Sequence, residues 1–428
     1  MSANTASAAP ASRVGLWTSI RRTAVSSRRS RRRWGRRSDR IGAEPCMDPL
    51  TTVFCGRWSW NGGMVIGTTA WILDSVRNCR TALRIPVCHQ QSAAPLQGTN
   101  FMSNLPQGEL CSVYSFAQGE DPIGSATPFK RCLLVELPTP WDRDVWSTSD
   151  TTKAIKKIAG MASRPGDAVR LLAFQSDPNP DPAREGLSRV FVYRRPESTD
   201  GFSTYAKREY LAPSGDLLTV LPELLQEPAP DSLPAGVQEL HGQTRDIFLC
   251  THADRDVCCG RFGKELLETL EASDQVRNQP DLRLWRVSHL GGHRLAPTLM
   301  DMPNGMAFGH LTADTALSLL KENGNLEAVL RCYRGWSGME PMAQIAERAV
   351  WRETGWQWTE YHRQASVLVR NEDKSGTVRI DWAAPDGSSS GSWEVSIEHR
   401  DQVHTLNNSF TEKYFYIDRF EVTSAVPI

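Results

Sequence analysis

The chain has no excess of either charge: 49 basic side chains stand against 49 acidic ones over 428 residues. A balanced chain has no global attraction to nucleic acid or to an anionic membrane surface. It also lacks any run of about 18 apolar residues, the length a helix needs to cross a bilayer, so no membrane span is expected. Nor does it carry the cysteine pattern of a secreted scaffold. Its ten cysteines are scattered irregularly, as in an intracellular protein with a local metal site, and a cytoplasmic location is expected. The length allows two or three domains, each able to bury a core.

The balance conceals an uneven start. Residues 1–40 hold eleven arginines against one acid, Asp39, with almost no apolar periodicity, a composition that predicts disorder. An organellar transit peptide and a nucleic-acid-binding arm both have this composition. The reading preferred here is an extension, residues 1–104, translated from a start codon placed too early. Residues 41–100 look no more like a domain than the first 40, and "MSNLPQGELCSVYSFAQGE" from Met102 reads as a natural beginning.

From residue 105 strand and helix signals alternate. "CLLVELP" (132–138) is a short apolar run closed by proline, and "STSDTTKAIKKIAGMA" offers Ser, Thr and Asp caps before a helical period. "AVRLLAF" and "RVFVYRR" are further β-rich runs. After the Pro-rich passage at 223–236 the order recurs: "DIFLCTH" as strand, "GKELLETLEAS" as helix, "LRLWRVSHL" and "GMAFGHL" as strands, then "TADTALSLLKENG" as a helix. One layout is used twice, and both halves suit an α/β fold of thioredoxin type. The expected division is 105–236, 237–325, and a last part, 326–428, of helices followed by an antiparallel β tail. Trp382, Trp393 and Tyr416 are expected to fill the core of that tail rather than to form a docking surface.

The chemistry concentrates in "CTHADRDVCCGRFG" (250–263) and "SHLGGH" (288–293). Cys250 ends a predicted strand, Cys258 and Cys259 precede a helix, and His289 and His293 flank a Gly-Gly loop at the end of the next strand. Strand ends on one edge of a sheet converge. Two thiolates and two imidazoles brought together suit either zinc or a [2Fe-2S] cluster. Gly291 and Gly292 allow the loop to turn back and aim both histidines at one centre. Cys250-Thr251-His252 matches one half of a Rieske pattern, but the downstream segment offers no cysteine. His252 is therefore read as a loop-ordering residue that supports the ligands. Arg255 and Arg294 are candidate hydrogen-bond donors to the centre, while Asp254, Asp256 and Asp301 are read as loop-ordering or solvated. Cys111 and Cys132 are read as small core residues.

At these residues the chain resembles the sucrase/ferredoxin-like family. "CTHADRDVCCGRFG" followed by "WRVSHLGGHRLAPTLMDMPNGMAFGHL" is similar to that family's thioredoxin-like ferredoxin half. "CSVYSFAQGEDPIGSATPFKRCLLVELPTPW" is similar to its amino-terminal half, and "CYRGWSGMEPMAQIAERA" to a segment of its bacterial members. The resemblance implies a thioredoxin-like ferredoxin domain at 237–325, preceded by a second α/β thioredoxin-like half. It also implies a non-Rieske [2Fe-2S] cluster held by Cys250, Cys259, His289 and His293, with Cys258 as the adjacent alternative to Cys259. The family name does not imply a glycosidase, since glycoside hydrolysis needs two placed carboxylates and none are recognisable.

Replacing two thiolates by neutral imidazoles takes the oxidised cluster and its ligands from a formal charge of roughly −2 to roughly zero. A potential above that of an all-cysteine ferredoxin is expected, and one that depends on pH, since each imidazole keeps a second nitrogen that binds or releases a proton. The expected function is one-electron transfer or redox sensing, with unidentified donor and acceptor proteins and no substrate of its own. Two alternatives use the same atoms: a structural Cys2His2 zinc site in a scaffold protein, and thiol–disulfide chemistry by Cys258 and Cys259. The second departs from the usual C-x-x-C spacing and requires a strained vicinal bridge.

Overall fold

The computed structural model describes residues 109–175, 184–198, 201–227 and 232–428. The expectations for residues 1–104 lie outside the described residues.

The first half comprises α1 (Cys111–Ala117), β1 (Arg131–Glu136), α2 (Asp150–Ala162), β2 (Val169–Gln175), β3 (Leu187–Arg194), β4 (Ala206–Pro213), α3 (Leu217–Leu224) and the short β5 (Gln238–Leu240). The second half begins with β6 (Arg245–Cys250), then a wide π turn (Cys259–Gly263) that runs into α4 (Lys264–Ala272). There follow α5 (Asp274–Arg277), β7 (Leu282–Val287), β8 (Leu299–Met302), β9 (Met306–Phe308), α6 (Ala313–Lys321), α7 (Leu326–Cys332), β10 (Tyr333–Trp336) and α8 (Pro341–Thr354). The tail is β11 (His362–Arg370), β12 (Gly376–Ala383), β13 (Ser390–Leu406) and β14 (Tyr414–Pro427).

One sheet runs through both halves in the order β10-β9-β8-β6-β7-β2-β1-β3-β4-β5. In the second half β6 and β7 are parallel, while β8 lies antiparallel on the other side of β6 and β9 antiparallel to β8. The first half has the same arrangement: β1 and β2 parallel, β3 antiparallel to β1, β4 antiparallel to β3. A crossover of two parallel strands followed by an antiparallel pair is the thioredoxin layout, here used twice. The fold is α/β with a small antiparallel sheet, β11-β12-β13-β14, at its carboxy-terminal end.

Among the described residues the halves meet edge to edge through two residue pairs, Phe174↔Val287 and Gln175↔Arg286. Their faces meet through a buried aromatic cluster, Phe174, Phe191, Phe248 and Trp285, with ring centroids 5.1–6.5 Å apart. Beside it, fully buried Asp246 accepts hydrogen bonds from Tyr193 Oη (3.0 Å), Lys207 Nζ (2.5 Å), Arg283 Nε (2.8 Å) and Trp285 Nε1 (2.8 Å). A buried carboxylate is tolerated only when paired in this way. The tail sheet is held to α8 by the buried pair Arg363–Glu347, Nε to Oε1 2.8 Å.

The repeat is as expected, but strands appear that the β-rich runs did not indicate, among them β4 and the short β5 in the first half and β8 in the second. β4, "AKREYLAP", has three charged residues and three alanines or prolines among its eight, and β8, "LMDM", has four buried residues and no alternation. Neither carries the period-2 signal of a strand with one wet face. "YRGW", expected to be helical, forms β10, and the tail has a fourth strand, β14. Trp382 and Trp393 pack against the core as expected. Tyr416 does not: it is 68% exposed on β14.

Candidate metal centre

Parallel pairing of β6 with β7 sets Cys250 beside Val287, the last residues of the two strands. Both chains leave the sheet at the same edge, which brings the loop after Cys250 to the loop carrying His289 and His293. The first loop returns as the π turn. Asp256 starts it by accepting the Cys258 backbone N–H (Oδ1, 2.9 Å), and its own carbonyl accepts from Cys259 N (3.1 Å). Gly263 lets the turn close on the strand, since a Cβ there would lie 1.9 Å from the Cys250 carbonyl oxygen. The second loop passes through Gly291 and Gly292 at φ +86° and +67°, a backbone region that other residues rarely enter.

Cys250, Cys259 and His289 each offer a ligand atom, all within 4.8 Å of one another. The sulfurs are buried and His289 reaches partly to the surface. The two thiols adjoin one another. A hydrogen bond from Cys259, together with His289 and the His252 backbone, holds Cys250 well below the usual thiol range, and the same contact with Cys250 pushes Cys259 well above it. His289 Nδ1 is buried and has no hydrogen-bond partner among the described residues. Two adjoining buried sulfurs beside an unpartnered imidazole nitrogen fit a thiophilic metal, which takes thiolates and neutral imidazole.

His293 joins a second group, with Cys111 and Asp256. Its Nδ1 lies 3.3 Å from Cys111 Sγ and 3.6 Å from Asp256 Oδ2, which leaves Nε2 as its remaining ring nitrogen. The His289 and His293 rings are 5.6 Å apart at their centroids, so the two groups adjoin. Burial lowers the His293 pKa to about 4, against the opposing pull of Asp256. Asp256 accepts from Ser409 N (2.9 Å) and Ser409 Oγ (2.7 Å) as well as from Cys258 N. Burial opposes its ionisation, but these donors outweigh it and hold the carboxyl below the usual range. Cys258 Sγ lies 3.7 Å from Cys111 Sγ and 3.3 Å from Ser409 Oγ.

Two arginines, half-buried Arg170 and buried Arg334, brace the histidine loop. Arg170 NH2 donates to Leu290 O (2.9 Å), and Arg334 donates from NH1 to Gly291 O (3.0 Å) and from NH2 to Ser125 O (2.7 Å). Burial pulls the Arg334 pKa down to about 9, as do Arg170 and Arg294, while Cys250 and Cys259 pull it up. The seam between the halves fixes the loop's start, because Ser288 N donates to Ala173 O (2.8 Å) and Ala173 N to Ser288 Oγ (3.0 Å).

The remaining expected residues fall around this centre. His252 is in neither ligand group: its Nε2 meets the Asp142 carbonyl at 2.9 Å and orders the loop. Arg294 donates to Glu120 (Nε to Oε1, 2.6 Å), and the carbonyl of Arg255 accepts from Arg143 NH1 at 3.3 Å. Asp254 accepts from Arg143 N (2.7 Å), whereas Asp301 is fully buried in a two-bond pair with Arg245. Cys132 is a core residue, but Cys111 is not merely one, because it faces Cys258, His293 and Asp256. Ser409 and Arg334 were not anticipated. Ser409 lies in an Asn-Asn-Ser turn with no chemical signature, and Arg334 is a lone arginine between Tyr333 and Gly335.

Residues 122–335, half of the chain, match the family model described as sucrase/ferredoxin-like. No curated protein matches the chain. Among solved structures, a thioredoxin-like [2Fe-2S] ferredoxin from Aquifex aeolicus is similar at 14% identity, over 23% of this chain and 97% of its own, with a TM-score of 0.19. That likeness is too slight to bear on the site.

Proposed function

The chain belongs to the sucrase/ferredoxin-like family, and from that premise we propose that it is an electron-transfer or redox-sensing protein. In this reading Cys250, Cys259, His289 and His293 hold a [2Fe-2S] cluster within a ferredoxin domain at residues 237–325. The observation that carries it is the buried Cys250–Cys259 pair with His289, its Nδ1 unpartnered, within reach at the end of two parallel strands. Bound there, the cluster supplies one-electron oxidation and reduction. The protein's part is to order the ligands and set the charge around them.

The cysteines and His293 lie inside and His289 reaches the rim, so electrons to and from partner proteins pass by the His289 side. His293, engaged through Nδ1 with Cys111 and Asp256, offers Nε2 to the metal. A ligating histidine usually has its other nitrogen hydrogen-bonded in this way, which fixes the ring. Arg170 and Arg334 place positive charge near the ligands, favouring the reduced, more negative state. Uptake of a proton by either imidazole on reduction links the potential to pH, with a slope of about −59 mV per pH unit where one proton accompanies one electron.

One observation favours a second reading. Three donor atoms within 4.8 Å of one another also suit a single tetrahedral zinc ion. Iron, zinc and acid-labile sulfide analysis of anaerobically purified protein, with electron paramagnetic resonance of the dithionite-reduced sample, separates the two. The cluster reading expects two irons and two sulfides per chain, and a signal from reduced protein whose potential moves with pH. A colourless, iron-free protein with stoichiometric zinc would refute it.

A further inference from the structure

Cys111 and Cys258, separated by 147 positions in the chain, place their sulfurs 3.7 Å apart, and both are fully buried. We propose that these two residues form a reversible dithiol–disulfide couple, a covalent modification site beside the metal centre. The proposal goes beyond electron transfer by the cluster and stands without it, since neither sulfur belongs to the group formed by Cys250, Cys259 and His289.

The distance is close to van der Waals contact between sulfurs. A disulfide needs about 2.05 Å between them, a closure that a change of one side-chain torsion or a small shift of α1 supplies. The surroundings direct the pair at one another. Ser112 N donates to Cys258 Sγ (3.5 Å), and Ser409 Oγ and Cys111 Sγ lie 3.3 Å and 3.7 Å from the same sulfur. The other thiols are placed differently: Cys132 lies in the apolar core and Cys332 donates to the His310 carbonyl. A bridge between adjacent Cys258 and Cys259 would be strained.

With hydrogen peroxide as oxidant the chemistry balances. The Cys258 thiolate attacks one peroxide oxygen, the O–O bond breaks, and a sulfenic acid forms as hydroxide leaves. Cys111 sulfur then attacks the Cys258 sulfur, forming the S–S bond and expelling the sulfenic oxygen, while the Cys111 proton and one from solvent complete two waters. Each sulfur gives up one electron and the peroxide takes two. An external dithiol reverses the step by exchange. Access is through α1, a helix of seven residues whose first two N–H groups are held by Ser409 Oγ (3.1 Å) and Cys258 Sγ (3.5 Å), so the oxidant reaches the pair when this short helix opens locally. On the cluster reading, the bridge also takes the Cys111 thiol from His293 Nδ1 and so couples the couple's state to the centre.

The test uses the full-length protein as purified, with its iron measured on the same sample. It is exposed to hydrogen peroxide, alkylated in denaturant and mapped by mass spectrometry without reduction. The expected result is a peptide pair joining Cys111 to Cys258, with fragment ions placing the bridge on Cys258 rather than Cys259. It should disappear after dithiothreitol and in Cys111→Ser and Cys258→Ser. Wild-type mapping decides the matter even if a variant fails to fold. Full alkylation of both residues after peroxide, or a bridge only between Cys250 and Cys259, overturns the proposal. So does stoichiometric zinc that shields Cys111 and Cys258 until a chelator removes it. Iron-free protein that still forms the bridge would sink the cluster reading and leave the couple standing.

Discussion

Replacing Arg334 by methionine separates two roles of a buried charge. The side chain is 3% exposed and donates to Ser125 Oγ (3.0 Å), Ser125 O (2.7 Å) and Gly291 O (3.0 Å). Methionine keeps much of the stem volume but removes every donor. Three buried acceptors lose a partner, at about 1–3 kcal/mol each. Against this, holding the guanidinium in so dry a place lowers its pKa from 12.5 to about 9, a penalty of about 5 kcal/mol that the substitution removes. The two terms nearly offset, so the change in folding stability is expected to be small. The redox effect has one sign. A unit charge lost within about 10 Å at an effective dielectric constant near 20 is worth about 1.7 kcal/mol, or about 70 mV for a one-electron couple. The potential of Arg334→Met should fall by that order in a potentiometric titration followed by visible absorbance at fixed pH. Arg334→Lys keeps the charge but loses the planar fork, and should keep most of the potential. If Arg334→Met holds its iron and its potential is unmoved, the buried arginine does not act on the centre and the electrostatic argument is wrong.

Three further outcomes follow from the geometry. Cys250→Ser and Cys259→Ser should each lose most of the bound iron, while Cys258→Ser retains it, as measured by iron per chain and the reduced-state resonance; the opposite order for 258 and 259 would exchange their roles. Gly263→Ala places a methyl group 1.9 Å from the Cys250 carbonyl, a backbone atom that cannot step aside. It should destabilise by at least about 3 kcal/mol in urea titration, although alanine is ordinarily the better helix residue. Burial, with Arg294 and Arg334 nearby, lowers the His310 pKa from 6.5 to about 4, so the folded state favours neutral imidazole. That contribution is complete above pH 6.5 and is lost as pH falls from there towards 4, by up to about 3 kcal/mol. His310→Asn, which tolerates the positive φ of 52° at this position, should flatten the acid limb of stability against pH; an unchanged limb would remove His310 as its source.

The layout of the fold was legible where burial left a periodic trace. β1, β2, β3, β6 and β7 are compact apolar runs, and α2 and α6 begin at the Ser149 and Thr312 caps, where polar side chains take up free backbone N–H groups. The strands that escaped notice are those whose residues answer to tertiary neighbours. In β4, Lys207 and Glu209 are drawn inward by Asp246 and Arg283, so charged side chains sit where alternation calls for apolar ones. In β8, Asp301 is fully buried because Arg245 from the neighbouring strand reaches it with two hydrogen bonds. Local propensity reads such residues as loop or helix, and only the partner makes them strand.

The centre divides along the same line. Cys250, Cys259, His289 and His293 announce themselves because they lie in two short segments with glycines where the loops must turn or approach closely. The groups that hold those segments do not. Cys111 meets Asp256 across 145 positions, and Ser409 meets it across 153, distances over which no spacing rule applies. Yet Asp256 is placed by exactly these contacts: without the two Ser409 donors its carboxylate would lose about half of its hydrogen bonds in a buried site, a loss of about 1–3 kcal/mol for each unmet group. The turn carrying Cys258 and Cys259 hangs from that carboxylate. The β tail, which contributes no ligand, therefore bears on the metal centre through the turn between β13 and β14, and a change at Ser409 should be felt at the iron before it is felt in the tail.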